Sequence, residues 1–134
     1  MKSAKKTILV IEDSLVQRLA LLKLLKQWDI NILAAENGKE GVDMAHQVLP
    51  NVILLDVQMP GLSGFDVCRL LRDDTRTAKI PIILFTSHND VSTMKEGYLS
   101  GAIEFIPKDG FHEAVLLETL FQLGIFTRTM SSHA

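Results

Sequence analysis

Residues 51–64, NVILLDVQMPGLSG, place four aliphatic side chains in a row before an acid, followed by a turn rich in Pro, Gly and Ser. A strand with one wet face alternates apolar and polar residues. A nearly unbroken aliphatic run instead marks a strand buried on both faces, as in a parallel sheet covered by helices. The same pattern stands at 7–13, TILVIED, where the run from Thr7 to Ile11 is closed by Glu12 and Asp13. Both runs thus end in carboxylates, and in an open parallel sheet ligands bind beyond the carboxyl ends of the strands. Glu12, Asp13 and Asp56 are expected to meet on one rim.

Working outward, Ser14 is placed to cap a helix in which Leu15, Val16, Leu19, Leu22, Leu25 and Trp28 recur at helical spacing and are expected to cover the sheet. A weaker strand over 31–35 is followed by a turn at Asn37 and Gly38 and a helix over 39–48, with Val42, Ala45 and Val48 as a narrow apolar stripe. Pro50 breaks the chain before the strand at 51–55, and the turn at 61–64 leads to a helix over 65–72. Further strands are expected at 80–85, with Pro81 near the start, and at 102–106. Helices are expected over 91–99, capped by Asn89 or Asp90, and over 111–123, where Val115, Leu116, Leu120 and Leu123 are the apolar positions. Five strands alternating with helices predict an α/β fold, a doubly wound five-stranded parallel sheet with helices on both faces. The expected organisation is one domain over 1–126 and a flexible tail over 127–134.

A chain of 134 residues suits one core. Fourteen Lys and Arg against sixteen Asp and Glu leave a formal charge of −2, which builds no broad cationic surface, so no direct nucleic-acid partner is expected. Cys68 is the single cysteine, which excludes an internal disulfide, and no Cys/His spacing fits zinc. The apolar run after MKSAKK is too short for a secretory core or a membrane span. A soluble, cytoplasmic protein without membrane insertion is the expectation.

The carboxylates suggest a chemistry. Asp13, Asp56 and Glu12 can hold Mg²⁺, a hard cation that prefers oxygen ligands, with the backbone carbonyl of Gln58 as a further ligand. Asp56 can attack phosphorus as a nucleophile while Lys108 and the metal stabilise the transferring oxygens, and Thr86 can hydrogen-bond to one of them. Two other readings share these residues: a small Mg²⁺-dependent phosphohydrolase working through an aspartyl phosphate, and a constitutive scaffold. Efficient turnover needs a placed acid or base, and Val57 and Gln58 supply none directly after Asp56.

VIEDS, ILLDVQMPGLSG, PIILFTS and GAIEFIPK occur in that order within residues 6–124. With them the chain resembles the receiver domain of bacterial two-component response regulators. The resemblance implies a flavodoxin-like fold, Mg²⁺ dependence, and phosphorylation of Asp56 by a sensor histidine kinase or histidine phosphotransfer protein. It also implies slow self-dephosphorylation rather than conventional turnover. The family's acidic pair falls on Glu12 and Asp13, its lysine on Lys108, its switch hydroxyl on Thr86 and its switch aromatic on Phe105. Glu12 stands where aspartate is more frequent, so its longer side chain is expected to reach metal through water. Asp109 stands where proline commonly follows the lysine. Gln58 and His88, each two residues beyond a site residue, match positions that tune signal lifetime in such proteins. With no output domain expected after the last helix, the resemblance implies output through a surface that binds a downstream protein target or forms a homodimer. Tyr98, Phe111, Leu117, Phe121, Ile125 and Phe126 are its candidates.

Overall fold

The structure is a computed structural model that describes residues 5–87 and 90–126. His88 and the tail expected from residue 127 lie outside the described residues. The elements alternate as β1 (Thr7–Ile11), α1 (Leu15–Leu25), β2 (Asn31–Ala35), α2 (Gly38–Val48), β3 (Val52–Leu55), α3 (Gly64–Asp73), β4 (Ile82–Thr86), α4 (Val91–Ser100), β5 (Glu104–Pro107) and α5 (His112–Gln122). The strands form one parallel sheet in the order β2-β1-β3-β4-β5. Ile11 pairs with Leu55, Leu55 with Leu84 and Leu84 with Phe105. The carboxyl ends are therefore nearly flush, and β4 and β5 run two residues further to bring Thr86 beside Pro107.

Each strand sends alternate side chains to two cores. Leu9, Ile11, Ile53, Leu55, Ile82 and Leu84 meet α2, α3 and α4 residues on one face. Ile8, Val10, Leu54, Ile83 and Phe85 meet α1 and α5 on the other. Gly41 lets α2 approach β1 closely, because a Cβ there would stand 2.4 Å from Ile11 Cδ1.

Several boundaries differ from the sequence reading for identifiable reasons. The third strand begins at Val52; Asn51 before it donates its N–H to Thr7 O at 2.9 Å and accepts from Thr7 N on its side chain at 2.7 Å. The fourth begins after Pro81, which has no N–H to give a ladder. The fifth is shifted to Glu104–Pro107, since Ala102 N is held by Gly97 O at the end of α4. Helix α1 is rotated from expectation. Leu21 and Leu25 are buried on the sheet, whereas Leu15, Val16 and Leu19 are 58%, 77% and 54% exposed. Its leucines occupy nearly every direction, so periodicity alone selects no single face. Val48 and Val115, read as core positions, are also exposed. Ile125 and Phe126, read as surface candidates, are buried, with Phe126 stacked on Trp28 at 4.3 Å between ring centroids.

Arg72, near the end of α3, ties three backbone segments together. Its Nε and Nη2 donate to Gly101 O at 3.0 and 2.7 Å, and its Nη1 donates to Ala78 O and Ile80 O at 3.0 and 2.9 Å. Gly101 closes α4 with φ of +113°, a left-handed conformation that favours glycine. Arg72→Ala leaves these carbonyls without their charged donor and should lower unfolding stability by about 2 kcal/mol. Arg72→Lys should recover only a small part, because lysine lacks the planar fork. Denaturant titration checks both. Burial pushes the Cys68 thiol up to about 12. Native protein at pH 8 should therefore resist iodoacetamide, and the unfolded chain should alkylate readily, as read by mass spectrometry.

Candidate functional site

Glu12 and Asp13 follow β1 directly, and Asp56 follows β3. Carboxylate oxygens of Glu12, Asp13 and Asp56 lie within 4.8 Å of one another. Two unit charges at about 4 Å repel by about 4 kcal/mol at an effective dielectric near 20, so such a group needs a cation. Lys108 supplies one. Its Nζ lies 2.9 Å from Glu12 Oε1 and 3.7 Å from Asp56 Oδ2. Its side chain is only 13% exposed, and that of Glu12 2%.

Backbone geometry fixes each member. Asp56 N donates to Ile11 O at 3.2 Å and Glu12 N donates to Ala35 O at 3.1 Å, which extends the ladder one residue past the strands. Ser14 N donates to Glu12 Oε2 at 3.2 Å, and Arg18 Nη1 to Glu12 O at 2.8 Å. Lys108 N donates to Thr86 O at 2.7 Å, which holds the lysine over the rim. The Glu12 carboxylate is thus engaged at both oxygens. Burial raises its pKa above the ordinary carboxylate range, and the charge of Asp56 adds to this, while the bonds from Lys108 and Ser14 act in the opposite sense.

The loop after Asp56 is equally constrained. Gln58 N donates to Asp56 Oδ1 at 3.4 Å and Gly64 N donates to Val57 O at 2.8 Å. A Cβ on Gly64 would stand 2.4 Å from Asp56 O, so α3 begins there only because that residue is glycine. Ser63 and Asp66 close a reciprocal capping box: Asp66 N donates to Ser63 Oγ and Ser63 N to Asp66 Oδ2.

Of the residues read from sequence, Glu12, Asp13, Asp56 and Lys108 come together. Thr86 is fully buried at the end of β4, Gln58 is exposed beside Asp56, and Phe105 is buried on the core face shared with Leu84. His88 lies outside the described residues. Sequence reasoning missed Gln17, whose Oε1 accepts a hydrogen bond from Lys108 Nζ. The available signal was the cap: Ser14 Oγ accepts from Gln17 N at 3.3 Å, which puts residue 17 in the first turn above the rim. Arg18 and Gly64 were missed too, because their roles lie in approach to backbone.

Three carboxylates gathered this closely suit a hard divalent cation, which prefers oxygen ligands. The receiver domain of response regulators matches this chain over residues 8–121. The chain belongs to that family, the phosphoacceptor class of two-component signalling. It is 36% identical over 113 residues to protein PilH of Pseudomonas aeruginosa, covering 84% of this chain and 93% of PilH. It is 43% identical over 104 residues to histidine kinase P4 of Formosa agariphila, covering 78% of this chain but only 8% of that kinase. Chemotaxis protein CheY4 of Vibrio cholerae superposes with a TM-score of 0.82 at 27% identity, over 90% of this chain and 99% of that one. Receiver domains bind a divalent metal at an acidic pocket of this kind and interact with histidine kinases. No helix among the described residues is long and apolar enough to cross a membrane.

Gly64→Ala must move the Asp56 peptide, since neither atom in the clash belongs to a flexible side chain. Affinity for a divalent cation, measured by calorimetric titration, should fall about ten- to a hundredfold, the usual penalty for disturbing the support of a group that holds a metal. An unchanged affinity in a folded variant would show that the loop yields without consequence.

Proposed function

We propose that Asp56 is the phosphoacceptor of this receiver domain, taking its phosphoryl group from a sensor histidine kinase or histidine phosphotransfer protein in the cytoplasm. The observation that carries this reading is Lys108 Nζ poised 3.7 Å from Asp56 Oδ2 on the rim shared with Glu12 and Asp13. An Asp56 oxygen forms the new O–P bond as the donor's P–N bond breaks, and the electron pair leaves with the imidazole. Lys108 stabilises the charge spread over the phosphoryl oxygens, and Thr86 donates to one of them. Asp13 and Asp56, with the carbonyl of Gln58, would hold Mg²⁺, and Glu12 would reach it through water because Lys108 and Ser14 already engage its oxygens. When bound, Mg²⁺ neutralises the carboxylates and the incoming phosphate. The same site would hydrolyse its own phosphate slowly, with Gln58 near the path of water.

The exposed Leu15, Val16 and Leu19 on α1, with Phe111 after β5, support docking of the donor beside the rim. On the output side, Thr86 and Phe105 would couple phosphate to the surface of α4 and β5. There Tyr98, Leu99 and Ile103 are exposed, and Tyr98 OH donates to Glu104 Oε1 at 3.1 Å. A downstream protein would read that surface, or a second copy would pair through it.

Incubation with Mg²⁺ and acetyl phosphate should add one acid-labile phosphoryl group by intact mass, acetate leaving as the P–O bond breaks. Asp56→Asn should show none. Modification that persists in that variant, or sustained release of phosphate from phosphomonoesters over many turnovers, would sink the reading in favour of another acceptor or of a phosphohydrolase.

A further inference from the structure

We infer that Gln17 is a positioning residue that restrains Lys108 on the α1 side of the rim and so slows phosphoryl uptake at Asp56. The inference rests on the phosphoacceptor reading above and assigns a role that the carboxylates and Lys108 do not fill.

An ammonium group has three donors and no acceptor. In this structure one goes to Glu12 Oε1 at 2.9 Å and another to Gln17 Oε1. Asp56 Oδ2 lies 3.7 Å away, close enough for charge attraction but beyond a hydrogen bond, since charge-assisted bonds close to about 2.7–2.9 Å. Lys108 is therefore drawn toward α1 and Glu12 rather than seated on the nucleophile. Phe85 lies beneath it, 5.4 Å from Nζ to ring centroid, and offers the cation a weak second attraction from the sheet. A cleft of about 170 Å³ lined by Gln17, Leu21, Phe85, Lys108 and His112 opens between α1 and α5, so the lysine has room on that side.

To bond a phosphoryl oxygen on Asp56, Lys108 must shift, and the two bonds that hold it differ in what can give way. Glu12 is buried and pinned by Ser14 N and by its own ladder bond, so it keeps the lysine near the site. Gln17 is neutral and exposed on a flexible stem. An anionic phosphoryl oxygen is a stronger acceptor than an amide oxygen, so the Gln17 bond is the one released. Its strength then sets part of the barrier to Lys108 engagement.

Two variants of similar length separate this role from a structural one. Gln17→Met keeps the stem and removes the acceptor; Gln17→Glu keeps the acceptor and adds charge. With acetyl phosphate and Mg²⁺, Gln17→Met should take up phosphate about fivefold faster than the parent protein and Gln17→Glu about fivefold slower, the scale of one exposed charged hydrogen bond. Thermal midpoints should stay together, because the side chain is exposed. Variants that shift the rate in the same direction, or not at all, while the parent protein is phosphorylated on Asp56, would overturn the role of Gln17 alone. Absence of uptake in the parent protein, from acetyl phosphate and from histidine-phosphorylated donors alike, would overturn the phosphoacceptor reading and this inference with it.

Discussion

Lys108 bridges carboxylates that would otherwise drive the rim apart. Glu12 and Asp56 come from adjacent strands, and their register leaves them no freedom to separate, because Ile11 and Leu55 pair directly beneath them. The repulsion is built into the fold, and the lysine that offsets it arrives from the far edge of the sheet on β5. That dependence makes the amino-acid order intelligible. The strands from β1 to β5 must stand in this order for a residue after β5 to reach acids after β1 and β3.

The two faces of the sheet serve the rim in different ways. On the α2–α4 face, glycines at 41, 64 and 97 bring helices against strands and loops more closely than any side chain would allow, with Gly97 facing Leu84 and Phe105. Arg72 then fastens the ends of α3 and α4 through carbonyls rather than acids. On the α1–α5 face the packing is by large side chains, with Trp28, Phe121 and Phe126 clustered far from the rim. The rim end of α1 is left to polar contacts: Ser14 as cap, Arg18 on Glu12 O, Gln17 on Lys108. Exposed Leu15, Val16 and Leu19 stand beside them, so the apolar surface closest to the site is not used by the fold itself.

Strands and site acids were legible in the sequence because both depend on short patterns. A run such as NVILLD can be buried on both faces only in one kind of sheet, and an acid at its end must then sit on the rim. The rotation of α1 was not legible, since Leu21, Leu22, Leu24 and Leu25 give the helix apolar groups around much of its circumference. Its face is set by packing, with Leu21 and Leu25 seated among Ile8, Val10, Leu116 and Leu120 of the sheet and α5. Arg72 escaped for a related reason. Its partners are main-chain carbonyls at 78, 80 and 101, which no residue type announces. Ile125 and Phe126 looked like surface because they follow the last helix, yet Ile125 N bonds to Leu120 O and turns the chain back onto the core.

The glutamate at position 12 gives the site a fixed side and an open side. Its extra methylene lets one carboxylate reach Lys108 with Oε1 and Ser14 N with Oε2, and with both oxygens engaged it acts as the anchor of the lysine. Asp13 is exposed, and among the described residues Asp56 accepts a 3.4 Å contact from Gln58 N beside its distant pairing with the lysine. Oxygens free to take a new partner are therefore concentrated on Asp13 and Asp56, the two acids nearest solvent. A carboxylate that is already satisfied gains little from a further ligand, whereas a half-satisfied one gains much. The same argument orders the contacts around Lys108: Glu12 is the partner it keeps, Asp56 the partner it approaches, and Gln17 the partner it can exchange.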